Sequence, residues 1–180
     1  MLETKNAPLN SKLPGEYSDD GVFYEYTIDA AQLKSERDSG VPEFGRESIG
    51  RDTPIDGGVY WGTYGGEAIV VDSEKYPEGI NRALQQVNEL ITRPNGTIDK
   101  SKVFSAVYST VCNTMRYDHK AVERILEEAG GLDYTKIALE SYIKQGVGVC
   151  RHQALFAGQI LEKLAGQGKI NGHISVDRNA

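Results

Sequence analysis

Residues 146–154 read GVGVCRHQA and bring a cysteine, Cys150, to the start of a predicted helix. The helix is indicated by small and apolar residues at three- and four-residue steps, which are Ala154, Ala157, Ile160, Leu161 and Leu164. Gly166 follows where a left-handed residue commonly ends a helix. The pattern therefore predicts a core helix with Cys150 in its first turn and its apolar face buried.

The predicted position of Cys150 suits thiol chemistry. The attacking species is the thiolate, and the unpaired N–H groups at a helix N-terminus stabilise negative charge. Arg151 adds a positive charge beside the cysteine, and the preceding glycines allow a tight turn. A buried structural thiol is the alternative, but the coincidence of these features favours a reactive cysteine.

His152 is the histidine nearest to the cysteine in the sequence, but helical geometry separates the two side chains. Residues two positions apart differ in direction by about 200° around a helix. Cys150 and His152 therefore cannot share a metal ion or a direct hydrogen bond between nucleophile and base if both are helical. We expect His152 to be a surface or packing residue, with a direct role in the site as the less favoured alternative.

Residues 148–155, GVCRHQAL, followed by the amphipathic run to Leu164, resemble the nucleophile helix of the transglutaminase-like cysteine enzymes, a branch of the papain-like thiol hydrolases. Residues 113–118, NTMRYD, are similar to the family's segment in which a helix ends in a short polar turn before the cysteine helix. The resemblance covers roughly residues 103–179. It implies a papain-like core with a helical half and an antiparallel sheet, a Cys-His-Asp type site, and thioester chemistry on acyl or amide substrates.

The sequence differs from the family's pattern in the histidine and the acid of that site. The family places its histidine on a strand after the cysteine helix and its acid on the next strand. Here His173 is the only histidine after Cys150, on a predicted strand at 170–177. Either the histidine and the acid lie beyond Ala180, which is the favoured alternative, or His173 is the base of a shortened site.

Asp177 is four residues from His173, which separates them by about 13 Å on one strand. This distance is too long for the acid to orient the imidazole directly. We therefore expect Asp177 to be a solvated charge at the end of the strand.

Composition narrows the choice of partners. The chain has 180 residues and a formal net charge of −6, and 39% of its residues are hydrophobic. No basic cluster suits phosphates, and no apolar run reaches the length of a signal peptide or a membrane span. We therefore expect a protein or peptide substrate, with neither nucleic acid nor membrane as partner. Two cysteines provide no disulfide framework, which favours a cytoplasmic protein of unspecified oligomeric state.

Cofactor motifs are absent from the sequence. The three histidines, at 119, 152 and 173, are not clustered as metal ligands would be. No phosphate-binding or dinucleotide-binding glycine motif occurs. We therefore expect no metal and no cofactor.

The organisation predicted for the chain is a polar, mobile tail at 1–20 and a single α+β domain at 21–180. Alternating patterns predict strands at 22–28, 59–62 and 67–72, the last two as a hairpin or a pair of edge strands. A final strand at 170–177 would follow the helical half, so that strands come from both ends of the chain.

Four helices are predicted between these strands from the helical spacing of apolar residues. The first begins at Glu78, and the second follows Asp99 as its cap, with Cys112 beside its buried stripe as a small core residue. The third ends at 130–131, and the fourth contains Ile137, Leu139 and Ile143. The stripes of the first three are Ile80, Leu84, Val87, Leu90 and Ile91; Val103, Val107, Val111 and Met115; and Ala121, Val122, Ile125 and Leu126.

Three functional hypotheses follow. The first is a thiol enzyme in which Cys150 attacks an amide or ester carbonyl, a histidine moves the proton, and water or an amine resolves the thioester. Hydrolysis, deamidation and acyl transfer share this first half. The second is a non-catalytic protein-interaction domain of the same fold. The third is a redox-responsive thiol, for which Cys112 is the only resolving cysteine in the chain.

Overall fold

Two small β-sheets and five α-helices make up the described part of the chain, which is an α+β fold. The computed structural model describes residues 46–61, 67–129 and 136–176. The predicted tail at 1–20 and the predicted strand at 22–28 lie outside these residues. None of the described helices combines the length and the apolar character needed to cross a membrane.

The strands are short and form a three-stranded and a two-stranded sheet. The first sheet joins β1 (Val59–Trp61), β2 (Ala68–Val70) and β4 (Lys136–Ala138), with β2 in the centre. Strands β1 and β2 are antiparallel, which confirms that the two predicted runs pair, although β2 is the central strand and not an edge. Strands β2 and β4 are parallel, so the sheet of the described residues is mixed and the antiparallel sheet implied by the family resemblance is wrong for it. The second sheet pairs β3 (Arg116–Tyr117) with β5 (Val147–Gly148) in parallel.

The helices cover most of the predicted helical segments. They are α1 (Glu78–Ile91), α2 (Val103–Thr114), α3 (His119–Glu128), α4 (Leu139–Gln145) and α5 (Cys150–Gly166), with a 3-10 turn at Lys100–Lys102 before α2. The predicted stripes of α1, α2 and α3 are buried, apart from Leu90, which is 54% exposed. The 3-10 turn separates Asp99 from α2. The carboxylate of Asp99 accepts a hydrogen bond from the Ser101 hydroxyl.

The fourth predicted helix begins later than expected. Ile137 lies in β4 opposite Ile69, because its segment adds a parallel strand to β2, and the helix starts only at Leu139. Both Ile137 and Leu139 are still buried. The prediction was therefore right about burial and wrong about the backbone at Ile137.

The predicted strand at 170–177 is wrong over residues 170–176, which form no regular structure. The chain leaves α5 through Gly168, whose φ is +69°, and Gly172 has a φ of +141°. Ile170, Ile174 and Val176 pack against the core through their side chains, and no strand of the described ranges pairs with this segment. Asp177 lies outside the described residues.

Helix α5 lies against α1, α2 and α4, at the centre of the described fold. Its Leu155, Phe156, Ile160 and Leu164 side chains have no exposed surface. The buried face that the sequence predicts for this helix is thus confirmed at Ile160 and Leu164, whereas Ala154 is exposed. The cysteine helix is therefore held on several sides, and Cys150 stands at its N-terminal end.

Candidate functional site

Cys150 is the first residue of α5 and is exposed, which confirms the predicted place of the thiol. The chain just before it is fixed by the two-stranded sheet. The amide of Arg116 donates to the carbonyl of Gly146, and the amide of Asp118 donates to the carbonyl of Gly148, both at 2.9 Å. The approach to Cys150 is therefore tied to the segment that follows α2.

The glycines before Cys150 are required by the local geometry. Gly146 ends α4 with a φ of +67°, in the left-handed region that favours glycine. At Gly148, a Cβ would overlap the sulfur of Met115 and would lie 3.0 Å from the Cβ of His152. A side chain at Gly148 would therefore displace the Met115 side chain and crowd the start of α5 at His152.

His152 lies inside the protein, directly behind the start of α5. It is fully buried, and its ring centroid lies 4.0 Å from that of Tyr142. Its Nδ1 accepts a hydrogen bond from the Val149 amide at 3.1 Å, and its Nε2 lies 3.3 Å from Glu67. Of the two expectations for His152, the packing role is confirmed and the surface position is wrong.

Glu67 is a buried carboxylate that gathers three side chains. It precedes β2 and is 1% exposed. The Tyr142 hydroxyl donates to it at 2.5 Å, and the Nε atoms of Arg151 and His152 face its two oxygens. We call Glu67, Tyr142, Arg151 and His152 the Glu67 cluster. The three partners compensate the negative charge of Glu67, whose burial without them would be very costly.

The positive charge of Arg151 is paired within the Glu67 cluster. The sequence suggested that Arg151 would act as a positive charge for the neighbouring Cys150, but its guanidinium forms an ion pair with Glu67. A paired guanidinium gives a much weaker net field than an isolated one. Arg151 is therefore not the free positive charge that the sequence suggested, whereas the N-terminus of α5 places the positive end of the helix dipole at Cys150.

The pKa values within the cluster follow from burial and from these contacts. Burial alone would raise the pKa of Glu67, but its contacts with His152, Arg151 and Tyr142 outweigh burial and hold it at about 2. Burial lowers the pKa of His152, and burial together with the Glu67 charge raises the pKa of Tyr142. At neutral pH the cluster therefore holds an ionised Glu67, a neutral His152 and a protonated Tyr142.

His173 is exposed and lies beside the loop at 50–57. Its Nε2 is 3.2 Å from the carbonyl oxygen of Arg51. The same loop is bound to α5 at Glu162, which is about 18 Å along the helix axis from Cys150. Within the described ranges, no hydrogen bond or ion pair joins His173 to Cys150. Its role as a base stays a prediction.

The remaining histidine and cysteine lie at the surface. His119 begins α3 and its Nδ1 is 3.2 Å from Glu123. Cys112 is exposed, so its predicted place in the core is wrong. It follows Tyr108 by four residues and shares the outer face of α2 with it, whereas the buried face runs through Val107 and Val111.

Neither a metal site nor a known relative is found. In the parts of the chain that the structure describes, no group of three His, Cys, Asp or Glu side chains could hold a metal ion. Comparisons with protein-family models, with curated proteins and with solved structures find no match to this chain. The resemblance to the transglutaminase-like enzymes therefore depends on the residue motif around Cys150.

Sequence reasoning missed two members of the cluster, Tyr142 and Glu67. The pattern predicts Glu67 only as the first residue of a strand, because its partners are 75 to 85 residues away in the chain. A charged residue directly before the apolar run 68–71, AIVV, is the one local signal of an unusual burial. That signal is weak, since charged residues commonly flank strands.

Proposed function

We propose that this protein is a transglutaminase-like thiol enzyme in which Cys150 attacks the carbonyl carbon of an acyl or amide substrate. The observation that carries the proposal is an exposed cysteine at the first position of a 17-residue helix, with a buried polar cluster behind it. Exposure gives a substrate access to the sulfur, and the unpaired N–H groups of a helix N-terminus are able to hydrogen-bond an anion. The resemblance of residues 148–155 to a nucleophile helix supports the same reaction.

The chemical step is acyl transfer to sulfur. The Cys150 thiolate forms a C–S bond to the carbonyl carbon, the C–N bond of the amide breaks, and the amine leaves with a proton. Water or a second amine then attacks the thioester and releases the thiol. The first outcome is hydrolysis or deamidation, and the second is transfer of the acyl group to an amine.

A base has to take the thiol proton and return it to the leaving amine. His152 does not suit this role, since its Nδ1 already accepts from the Val149 amide and its Nε2 faces Glu67. His173 would have to leave the Arg51 carbonyl to reach Cys150. The three histidines of this sequence are all among the described residues, so His173 and a histidine from outside this sequence are the two alternatives for the base.

The test uses p-nitrophenyl acetate, whose good leaving group reduces the need for a general acid. We expect the acetyl group to appear on Cys150 at least about tenfold faster than on Cys112, because only Cys150 lies at a helix start. Both cysteines are exposed, so access does not explain a difference. Peptide mass mapping over a time course measures the two rates within one molecule.

Two variants serve as controls for this experiment. Cys150→Ser should abolish the fast phase, and Cys112→Ser should leave it unchanged. Equal acetylation rates at the two cysteines would contradict the proposed thiol enzyme. His173→Ala then tests the base: loss of turnover on glutamine peptides assigns the role to His173, and unchanged turnover assigns it elsewhere.

The second candidate function is protein binding without catalysis, and one observation favours it. Phe104 and Tyr108 lie four residues apart on the outer face of α2 and are 73% and 71% exposed. Large aromatic side chains of this kind are enriched in protein interfaces. Partner binding that survives Cys150→Ser, together with slow acetylation of Cys150, would support this function over the enzyme.

A further inference from the structure

The Glu67 cluster contains a histidine, two residues after Cys150, whose two ring nitrogens are both engaged. His152 is the third residue of α5 and is fully buried. A Glu or Gln at this helical position commonly accepts a hydrogen bond from the backbone amide of the residue before the helix. His152 does the same here, since its Nδ1 accepts from the amide of Val149 at 3.1 Å.

The hydrogen bonds determine the protonation of the ring. An Nδ1 that accepts from an N–H group carries no proton, so a neutral ring has its proton on Nε2. Nε2 lies 3.3 Å from Glu67 and can donate to it. A doubly protonated ring would direct an Nδ1–H at the Val149 N–H, which the geometry disfavours. The contacts therefore select the neutral Nε2–H tautomer.

Glu67 can select this tautomer because all its partners are donors. The Tyr142 hydroxyl, the Arg151 guanidinium and the His152 Nε2 all direct hydrogens at the carboxylate. A donor at Nε2 leaves the lone pair of Nδ1 for the Val149 amide. The carboxylate thus acts through the ring on the backbone one residue before Cys150.

We propose that His152 and Glu67 are positioning residues for Cys150: Glu67 fixes the Nε2–H tautomer of His152, and His152 Nδ1 holds the Val149 amide that directs the backbone into the cysteine. The inference rests on the proposed role of Cys150 as a nucleophile. Fixing this peptide plane fixes the first turn of α5, so the sulfur and the unpaired first-turn amides keep one arrangement relative to a substrate.

Two further contacts at the start of α5 agree with this role. Gly148 lies against His152, and a Cβ added there would be 3.0 Å from the His152 Cβ, so the loop and the ring are in close contact. The Gln153 side chain also donates to the carbonyl of Met115 at 2.9 Å, which ties the same turn of α5 to the end of α2. The start of α5 is thus held from the ring side and from α2.

The decisive variants are His152→Gln and His152→Ala. Gln can accept the Val149 amide with its Oε1 and can donate to Glu67 with its Nε2, so it restores the positioning contact without an imidazole. We expect His152→Gln to keep the Cys150 acetylation rate within about threefold of the parent chain. His152→Ala should lose about tenfold to a hundredfold, the cost of a misplaced reacting group.

Matched controls separate positioning from general damage. His119→Gln makes the same change at an exposed histidine and should leave the rate unchanged. Circular dichroism checks that each variant is folded, and the acetylation of Cys112 provides an internal rate standard. Glu67→Gln should slow the acetylation of Cys150, because the amide hydrogens of the new Gln side chain would face one of the three donors. Glu47→Gln, at an exposed position, should leave that rate unchanged.

The outcomes distinguish this inference from its alternatives. If folded His152→Gln is as slow as His152→Ala, the imidazole itself moves a proton and the positioning role is overturned. The positioning role is also overturned if Cys150 of His152→Ala or of Glu67→Gln is acetylated at the parent rate. Nitrogen NMR of His152 in the parent chain should find Nε2 protonated and Nδ1 unprotonated, and the reverse finding overturns the inference. This measurement needs no variant, so it decides the matter even where a variant fails to fold.

Failure of the proposed function has a different signature. If the parent Cys150 is acetylated no faster than Cys112, the thiol enzyme is contradicted. Hydrogen exchange of the Val149 amide then decides the contact by itself. Protection in the parent and in His152→Gln, with fast exchange in His152→Ala, supports the positioning contact, and fast exchange in the parent overturns it.

Discussion

At the scale of single residues, Glu67 has the largest predicted effect on stability. Glu67→Ala would leave Arg151 without its partner and would leave the buried His152 and Tyr142 without an acceptor. We expect a loss of about 3–5 kcal/mol in the free energy of unfolding at pH 7, typical of breaking a buried ion pair. Urea unfolding measures it, with Glu47→Ala at an exposed position as the control.

The pH dependence of this loss has a definite sign. The folded pKa of Glu67 is about 2 and its ordinary value is 4.5, so the stabilisation is complete above pH 4.5 and declines as the pH falls towards 2. The difference between the parent and Glu67→Ala should therefore be smaller at pH 3 than at pH 7. A loss below 1 kcal/mol at pH 7 would contradict the account of the cluster.

Sequence patterns located Cys150 correctly and its surroundings only in part. The glycines and the helical period are local signals, and they place the cysteine at the helix start. The ion pair of Arg151 joins it to Glu67, which is 84 residues away, and no local sequence pattern reveals so distant a partner. Cys112 was assigned to the core because cysteine is commonly buried, although it lies one residue beyond the buried stripe of α2.

At the scale of elements, the loop at 50–57 is fastened to α5 by carboxylates. Glu162 accepts the amides of Ile55 at 3.1 Å and Asp56 at 2.8 Å. Asp56 in turn accepts from Gln159 and Lys163 of the same helix. Glu162→Ala would leave two amides without their charged acceptor, and we expect it to cost about 2–3 kcal/mol of unfolding free energy.

Urea unfolding of Glu162→Ala tests this attachment. Glu127→Ala, a change of the same kind on the exposed side of α3, is the matched control and should change the free energy of unfolding by less than about 0.5 kcal/mol. Limited proteolysis should also cut the loop of Glu162→Ala earlier than the loop of the parent. If the two variants are equally stable, the carboxylate does not fasten the loop.

Helices were predictable from their period, whereas the last strand was not. The stripes of α1, α2 and α3 repeat every three or four residues, and packing on one core buries them. Strand formation needs a neighbouring edge with free backbone groups, and in the part of the chain that the structure describes no strand pairs with residues 170–176. Ile174 and Val176 instead reach the core as isolated side chains. Alternation alone therefore could not distinguish a strand from an extended segment lying on a core.

For the whole molecule, the α+β class was predictable from the mixture of periods, but the sheet order was not. The parallel pairs β2–β4 and β3–β5 join segments that are far apart in the sequence. Short strands of two or three residues carry almost no periodic signal of their own. Their pairing depends on how the helices that connect them along the sequence pack together, and this is a property of the complete fold.

The last prediction concerns the pH dependence of global stability, which Glu140 should influence. This carboxylate is 4% exposed and accepts the Gly79 amide at 3.1 Å, so it joins α4 to the first turn of α1. Glu78, Arg82 and Lys144 face it, the last at 3.9 Å. Burial, with a smaller contribution from the Glu78 charge, raises the pKa of Glu140 to about 7.

The sign follows from comparing the folded and unfolded states. Above pH 4.5 the unfolded chain ionises Glu140 while the folded protein keeps it protonated until about pH 7. This residue therefore lowers the free energy of unfolding as the pH rises through that window, by at most about 3 kcal/mol. His152 acts in the opposite direction, because its lowered pKa removes stability as the pH falls below 6.5.

A comparison of Glu140→Gln with the parent chain isolates the Glu140 contribution, since His152 is common to both. Gln retains an oxygen for the Gly79 amide and cannot ionise, so the variant should gain stability relative to the parent between pH 5 and pH 8. Urea unfolding at several pH values measures the difference, and Glu127→Gln should give a flat one. A Glu140→Gln difference that is equally flat, or that falls with pH, would mean that Glu140 is already ionised in the folded protein at pH 5.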